Sequence, residues 1–186
     1  QGDGPDGRGN SADDTWQFWY ESLVQRDFHR LNSFYRPSYN GWSHNHNMDK
    51  SYEVVWGEPK TGTLYIHPYA GNDDHRGIAL TWTVPKTGVY TITGKVTDVM
   101  IDKPSGQASG IIWRIEQATA GKRGKLLKRG RPVGDGVGPP SAKISVDKVH
   151  LKRGEVLRLV IDPNNHSHHD MTQIDSFEIR EVKVKR

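Results

Sequence analysis

Thr81-Trp-Thr-Val-Pro-Lys-Thr-Gly-Val-Tyr-Thr-Ile-Thr-Gly-Lys-Val-Thr-Asp98 is the stretch whose reading decides the fold. Leu80, Trp82 and Val84 alternate with threonines, the pattern of a strand with one face buried. Pro85 and Gly88 bracket a turn, after which Tyr90, Ile92, Gly94 and Val96 alternate with Val89, Thr91, Thr93 and Lys95. Thr, Val, Ile, Trp and Tyr suit a pleated surface, and Pro-x-x-Gly supplies turn chemistry. Two strands joined this way predict an antiparallel hairpin and, around it, an antiparallel β domain.

Working outward, further strands are predicted at Tyr52–Trp56, Thr63–His67, Ile78–Val84, Val89–Ile101, Gly110–Gln117, Lys125–Lys128, Lys143–Leu151, Val156–Asp162 and Ser176–Val184. Between several of them stand Gly- and Pro-bearing turns such as 59–62, 104–106 and 152–154. Nine or ten strands with no helical period predict an all-β fold, an antiparallel two-sheet β-sandwich of jelly-roll type. Residues 1–13 are rich in Gly and Asp and read as a flexible N-terminal segment or linker. A single sandwich domain is expected over 14–186. Within it, 26–50 is polar and aromatic without a period, and reads as a long irregular excursion.

A chain of 186 residues buries roughly 70% of its unfolded surface, enough for stability without a metal or disulfide. It has no cysteine, which rules out a thiol nucleophile, a zinc-thiolate site and a disulfide framework. Its first residue is Gln1, the expectation being a processed or excised piece whose signal peptide is already gone. No apolar run approaches the ~20 residues that cross a bilayer, so no membrane partner is expected.

The order of the pieces resembles a group of carbohydrate-binding-module-like β-sandwich domains of secreted and cell-surface bacterial proteins, planctomycete proteins among them. The residues carrying the resemblance are Asp14-Thr-Trp-Gln-Phe-Trp-Tyr20, then Leu64-Tyr-Ile-His-Pro68, then Trp82-x-x-Pro85-x-x-Gly88-x-Tyr90. Gly110-Ile-Ile-Trp-Arg-Ile115 follows, then the run from Val149 to Asp162, and last an Asn/Asp loop from Asn164 to Asp175. It spans roughly 14–184 and implies a jelly-roll sandwich, export and a glycan-associated role. The excursion at 26–50 and the basic 122–131 loop depart from the pattern.

Glycan recognition needs flat apolar faces for pyranose C–H groups, flanked by hydrogen-bonding side chains. Of six Trp, Trp82 and Trp113 share parity with core aliphatics and read as interior, and Trp16 and Trp19 have opposite parity on one strand. Trp42, in Asn40-Gly-Trp-Ser-His-Asn-His-Asn47, falls among polar residues in a predicted loop and is the candidate stacking platform. Tyr69 is the second. Histidines are the other unusual feature, nine in all, eight of them at His44/His46, His67/His75, His150 and His166/His168/His169. Imidazole and carboxylate in Asp162-Pro-Asn-Asn-His-Ser-His-His-Asp170 invite a metal reading. His-x-His alone lacks a third ligand, and a hydrophilic loop explains it as well. Asp170 and Asp175 flank the last predicted strand and are the candidate ligands for a structural calcium.

The net charge is +4, with basic clusters at 122–131 and 180–186. A basic surface favours anionic partners, while edge strands protected by Lys explain the same residues. No helix is available to enter a groove, so nucleic acid is not an expected partner. Glycosidase chemistry needs two carboxylates about 5–10 Å apart; Glu53, Glu58, Asp73, Asp74, Glu116 and Asp170 stand in no recognisable catalytic setting. No nucleophile elbow, zincin or Walker motif is present.

The reading is therefore a secreted, non-catalytic module that binds a polysaccharide, an acidic one favoured by the charge, and belongs to a larger protein. The expected contact surface is Trp42, His44, His46, His67, Tyr69, Asp74, His75, Arg76, His166, His168 and His169. Two alternatives stay open: a small polysaccharide lyase or hydrolase using His67, Tyr69 and Arg76, and a cell-surface adhesion module.

Overall fold

The structure, a computed structural model, describes residues 15–22, 27–31, 33–35, 40–43, 54–58, 63–70, 75–99, 110–134, 138–164 and 170–183. Among them all regular structure is β, and every pairing is antiparallel. One sheet runs β12 (Lys125–Gly130), β11 (Ile112–Ala118), β14 (Val156–Asp162), β9 (Ile78–Thr83), β1 (Trp16–Ser22), β2 (Asp27–Arg30). The second runs β13 (Ser141–Leu151), β10 (Gly88–Asp98), β15 (Thr172–Glu181), β6 (Thr63–His67), β5 (Val54–Glu58), β4 (Asn40–Ser43), β3 (Ser33–Tyr35). A small ladder joins β7 (Tyr69–Ala70) to β8 (His75–Arg76). Successive strands β9, β10 and β11, and again β13, β14 and β15, alternate between the sheets, which is jelly-roll connectivity. No helix among the described residues is long and apolar enough to cross a membrane.

Alternation builds the interior. Phe18, Leu80, Trp82, Trp113, Ile115, Leu157, Leu159 and Ile161 of the first sheet meet Ile66, Tyr90, Ile92, Val96, Ile144, Leu151 and Ile174 of the second in one continuous core. Trp82 and Trp113 are interior, as their parity predicts. Trp16 turns to the core, its ring edge-on to Phe177, while Trp19 turns to the other face of the first sheet. There Phe28, Ala79 and Val160 make a second, smaller apolar cluster with Trp19 against it. The central strands β9 and β14 are thus covered on both faces.

The predicted hairpin does not exist. β9 pairs with β1 and β14 in the first sheet, and β10 pairs with β13 and β15 in the second. The segment between them is a corner that carries the chain from one sheet to the other. The Val84 amide donates to the Glu155 carbonyl and Gly154 donates to the Val84 carbonyl, so the end of β9 is engaged by the turn before β14. Tyr90 fastens the corner: its hydroxyl donates to the Lys86 carbonyl at 2.6 Å. Trp82 and Tyr90 meet edge-to-face at 5.4 Å, each pointing inward from its own sheet. Period-2 alternation states which face of a strand is buried, not which strand lies beside it, and a hairpin and an inter-sheet corner leave the same pattern.

The excursion at 26–50 is not irregular either, since β2, β3 and β4 fall within it. Strands of three and four residues are too short to show a period. The last strand begins at Thr172 rather than Ser176, and the long strand after the corner ends at Asp98 rather than residue 101. Residues 1–14, which contain the predicted flexible segment, lie outside the described residues.

Candidate functional site

The two ends of the sandwich differ in how the chain turns. At one end the connections are tight: 84–87 joins β9 to β10, and 152–155 joins β13 to β14. At the other they are long: 44–53, 68–77, 99–111, 131–140 and 163–171. Strand register fixes this end. In the second sheet Ser43 lies opposite Val54, Val54 opposite His67, Ile66 opposite Thr172 and Thr172 opposite Asp98. In the first, Tyr20, Ile78, Ile161, Trp113 and Gly130 form one cross-strand row. Long connections at one end of a rigid scaffold are where recognition residues concentrate.

Among the described residues, the sequence candidates His67, Tyr69, His75, Arg76 and Trp42 lie toward this end. His67 closes β6, the buried Pro68 follows, and Tyr69 opens β7. The β7–β8 ladder sets Tyr69 opposite Arg76 and His75 opposite Ala70, so four candidates are neighbours along one backbone feature. Trp42 is in strand β4 rather than in a loop, opposite Val55 and one residue from the same end. His44, His46, Asp74, His166, His168 and His169 lie outside the described residues. The segments that hold them leave and re-enter the described chain at Ser43 and Val54, at Ala70 and His75, and at Asn164 and Asp170.

Asp170 and Asp175 stand at different positions around the start of the last strand. Asp170 is fully buried ahead of β15. Asp175 lies inside β15, at the bulge where Lys95 faces Ser176 and Val96 faces Ile174. Its carboxylate accepts hydrogen bonds from Thr97 Oγ1 (2.6 Å) and Gln173 Nε2 (2.8 Å), with Lys95 Nζ at 3.7 Å. Among the described residues no three His, Asp or Glu side chains are grouped to hold a metal.

Sequence reasoning missed a charged cluster on the outer face of the first sheet. Because Trp113 and Ile115 point inward, Arg114 and Glu116 point outward, as do Arg158 and Asp162 between the inward Leu157, Leu159 and Ile161. The Arg114 guanidinium bonds to Glu21, to Glu116 at 2.6 Å and to Asp162 at 2.8 Å. Glu21 also receives Arg123 at 2.9 Å. Burial pulls the Arg114 pKa down, but Glu21, Glu116 and Asp162 together outweigh it and hold it above its ordinary value. Arg158 is fully buried, 4.1 Å over the Phe28 ring, and donates to the carbonyls of Lys122 and Thr119. Burial brings its pKa down to about 10, against the opposing pull of Glu116 and Glu21. Arg158 thereby pins the 119–124 turn onto the sheet. The available signal was charge at alternate positions of otherwise apolar strands, which on a covered face demands partners.

In β12 the register puts Arg129 beside Arg114 on this outer face, with Gly130 turned to Trp113, and Arg131 follows just past the end of the strand. Ile112, Arg129, Gly130 and Arg131 line a cavity of about 180 Å³ that opens beside the long-loop end.

No family model matches the chain and no curated protein matches it. Among solved structures it is similar to TmCBM61 in complex with β-1,4-galactotriose, at 7% identity and a TM-score of 0.41, over 89% of this chain and 88% of that one. It is also similar to a CBM6 module from Clostridium stercorarium in complex with cellobiose, at 13% identity and a TM-score of 0.40, over 88% and 93%. A third is the CBM22-1 xylan-binding domain from Paenibacillus barcinonensis Xyn10C, at 14% identity and a TM-score of 0.38, over 70% and 82%. Likeness at this level transfers no ligand.

Proposed function

We propose that this domain binds a polysaccharide, with an acidic one favoured by its charge, at the long-loop end of the sandwich and does not cleave it. The reading includes export, as a module attached to a larger protein. The observation that carries it is the convergence of candidates that sequence left scattered. His67, the Tyr69–Arg76 and His75–Ala70 pairs, and the departure points of the segments holding His44, His46, His166, His168 and His169 share one end. Tyr69 and Trp42 supply rings for sugar C–H faces, and His and Arg supply hydrogen bonds to hydroxyls. A partly protonated His adds positive charge below about pH 6.5.

Binding without cleavage is supported, among the described residues, by the pairing of three carboxylates. Glycoside hydrolysis needs one carboxyl to donate a proton and a second to attack or activate water. Glu21, Glu116 and Asp162 instead share the Arg114 guanidinium. Such a module holds whatever it is attached to near the polymer, raising effective concentration.

Electrophoresis through gels containing neutral or acidic polysaccharides tests this. Retardation is expected in at least one, abolished by Trp42→Ala. Release of reducing ends or unsaturated products would replace the binding reading with an enzymatic one, and migration unchanged in every gel would remove it.

A further inference from the structure

We propose that the cavity lined by Ile112, Arg129, Gly130 and Arg131 is an acid-group subsite, where a carboxylate or sulfate on one sugar of the polysaccharide is held by two guanidinium groups. This rests on the polysaccharide-binding reading and adds to it where the charge is read.

The cavity is built by the strand. Arg129 at the end of β12 and Arg131 just past it line the cavity on either side of Gly130, and packing against Trp113 requires that residue to be small. A Cβ on Gly130 would stand 2.6 Å from Trp113 Cζ2, so the glycine lets β12 lie against the indole while both arginines line the cavity. Ile112 gives the cavity an apolar wall, suited to sugar C–H groups. At about 180 Å³ it is smaller than a whole-ligand site of roughly 300–1,000 Å³ and is the size of a subsite.

Ion pairing distinguishes these two arginines from their neighbours. Arg114 and Arg123 are held by carboxylates, and Arg158 is buried against backbone carbonyls. Neither Arg129 nor Arg131 pairs with a carboxylate among the described residues. Arg131 donates to the neutral amide oxygen of Asn164 at 3.0 Å, which orients it without neutralising it. Arg114, with its three carboxylates, stands opposite Arg129 in the β11–β12 register. Asp162 itself is taken up by Arg114 and by the Asn164 amide, leaving the two charges at the cavity uncancelled. Guanidinium groups suit planar or tetrahedral oxyanions through paired hydrogen bonds. A nucleic acid would need rings for its bases beside the phosphate contacts; among the described residues the cavity lining offers an isoleucine instead.

The test compares wild type with Arg129→Gln/Arg131→Gln by affinity electrophoresis and calorimetry. The probes are polygalacturonate, a sulfated galactan, a neutral galactan and single-stranded DNA. The double variant is expected to lose about tenfold or more in affinity for an acidic polysaccharide, from charged hydrogen bonds. Its salt dependence should become shallower, and any neutral-galactan binding should be unchanged. Which of uronate or sulfate loses more identifies the acid group. Lys125→Gln, on the same strand outside the cavity lining, should have little effect; an equal loss there would mean diffuse surface charge and overturn the subsite. Binding of neutral galactan alone would also overturn it while leaving the polysaccharide reading intact. Binding to no polysaccharide would remove both, and preference for DNA would replace both. Matching melting temperatures for the variants exclude unfolding as the cause.

Discussion

Replacing Arg114 with Met would remove the one group that neutralises three carboxylates on the outer face of the first sheet. The three are not equally exposed to its loss. Glu21 keeps Arg123 at 2.9 Å, and Asp162 keeps the Asn164 amide at 3.0 Å. Glu116 keeps nothing of that kind: its side chain is 10% exposed, and Oε2 is buried with no hydrogen-bond partner among the described residues. Removing one partner of a buried pair costs about 3–5 kcal/mol. Two of the three carboxylates have a second contact, so the lower end applies, about 3 kcal/mol, or about 6–12 °C in melting temperature for a domain of this size. Urea denaturation at pH 7 would read this as a lower midpoint with unchanged slope. Adding Glu116→Gln to the variant should recover most of the loss. A stability within about 1 kcal/mol of wild type at pH 7 would refute the assignment of Arg114 as the compensating charge.

Other outcomes follow from local geometry. Gly154 has φ +84° with open space around its α-carbon, so Gly154→Ala should cost about 1 kcal/mol through backbone strain alone, measurable by denaturation with ligand binding unaltered. Gly130→Val should cost about 1–3 kcal/mol by forcing β12 away from Trp113, with a change in tryptophan fluorescence. The Lys152 amide holds the Glu155 carboxyl below its usual range, helped by Gln117 Nε2 and opposed by burial. Its stabilisation is present above the ordinary carboxylate value and lost as pH falls through the depressed one. Glu155→Gln should therefore melt lower than wild type at pH 7, with the gap closing in strong acid.

Fold class was legible because alternation in Leu80–Val84, Val89–Val96 and Val156–Ile161 is set by burial, which sequence records directly. Partnership was not. Pro85 to Gly88 reads as a hairpin turn until Tyr90 is seen bonding back to Lys86 across a corner between sheets. β2, β3 and β4 are hidden in the sequence because three or four residues cannot display a period, and Trp42 reads as a loop residue for the same reason. At the site, residue types were visible and their meeting place was not. Tyr69 is close in sequence to Arg76, but that the two lie opposite each other in a ladder depends on pairing. That Arg114, Glu116 and Asp162 form one cluster is not legible in sequence, because charge on a strand reads as solvent exposure unless the covering of that face is known.

The most direct test of polysaccharide binding at the long-loop end is an amide chemical-shift titration with an acidic oligosaccharide. Shifts are expected at His67, Ala70, Gly130, Arg131 and Asn164, with the tight-turn end at Lys86, Thr87 and Gly154 unmoved. Shifts confined to the tight-turn end, or none at saturating sugar, would contradict the account.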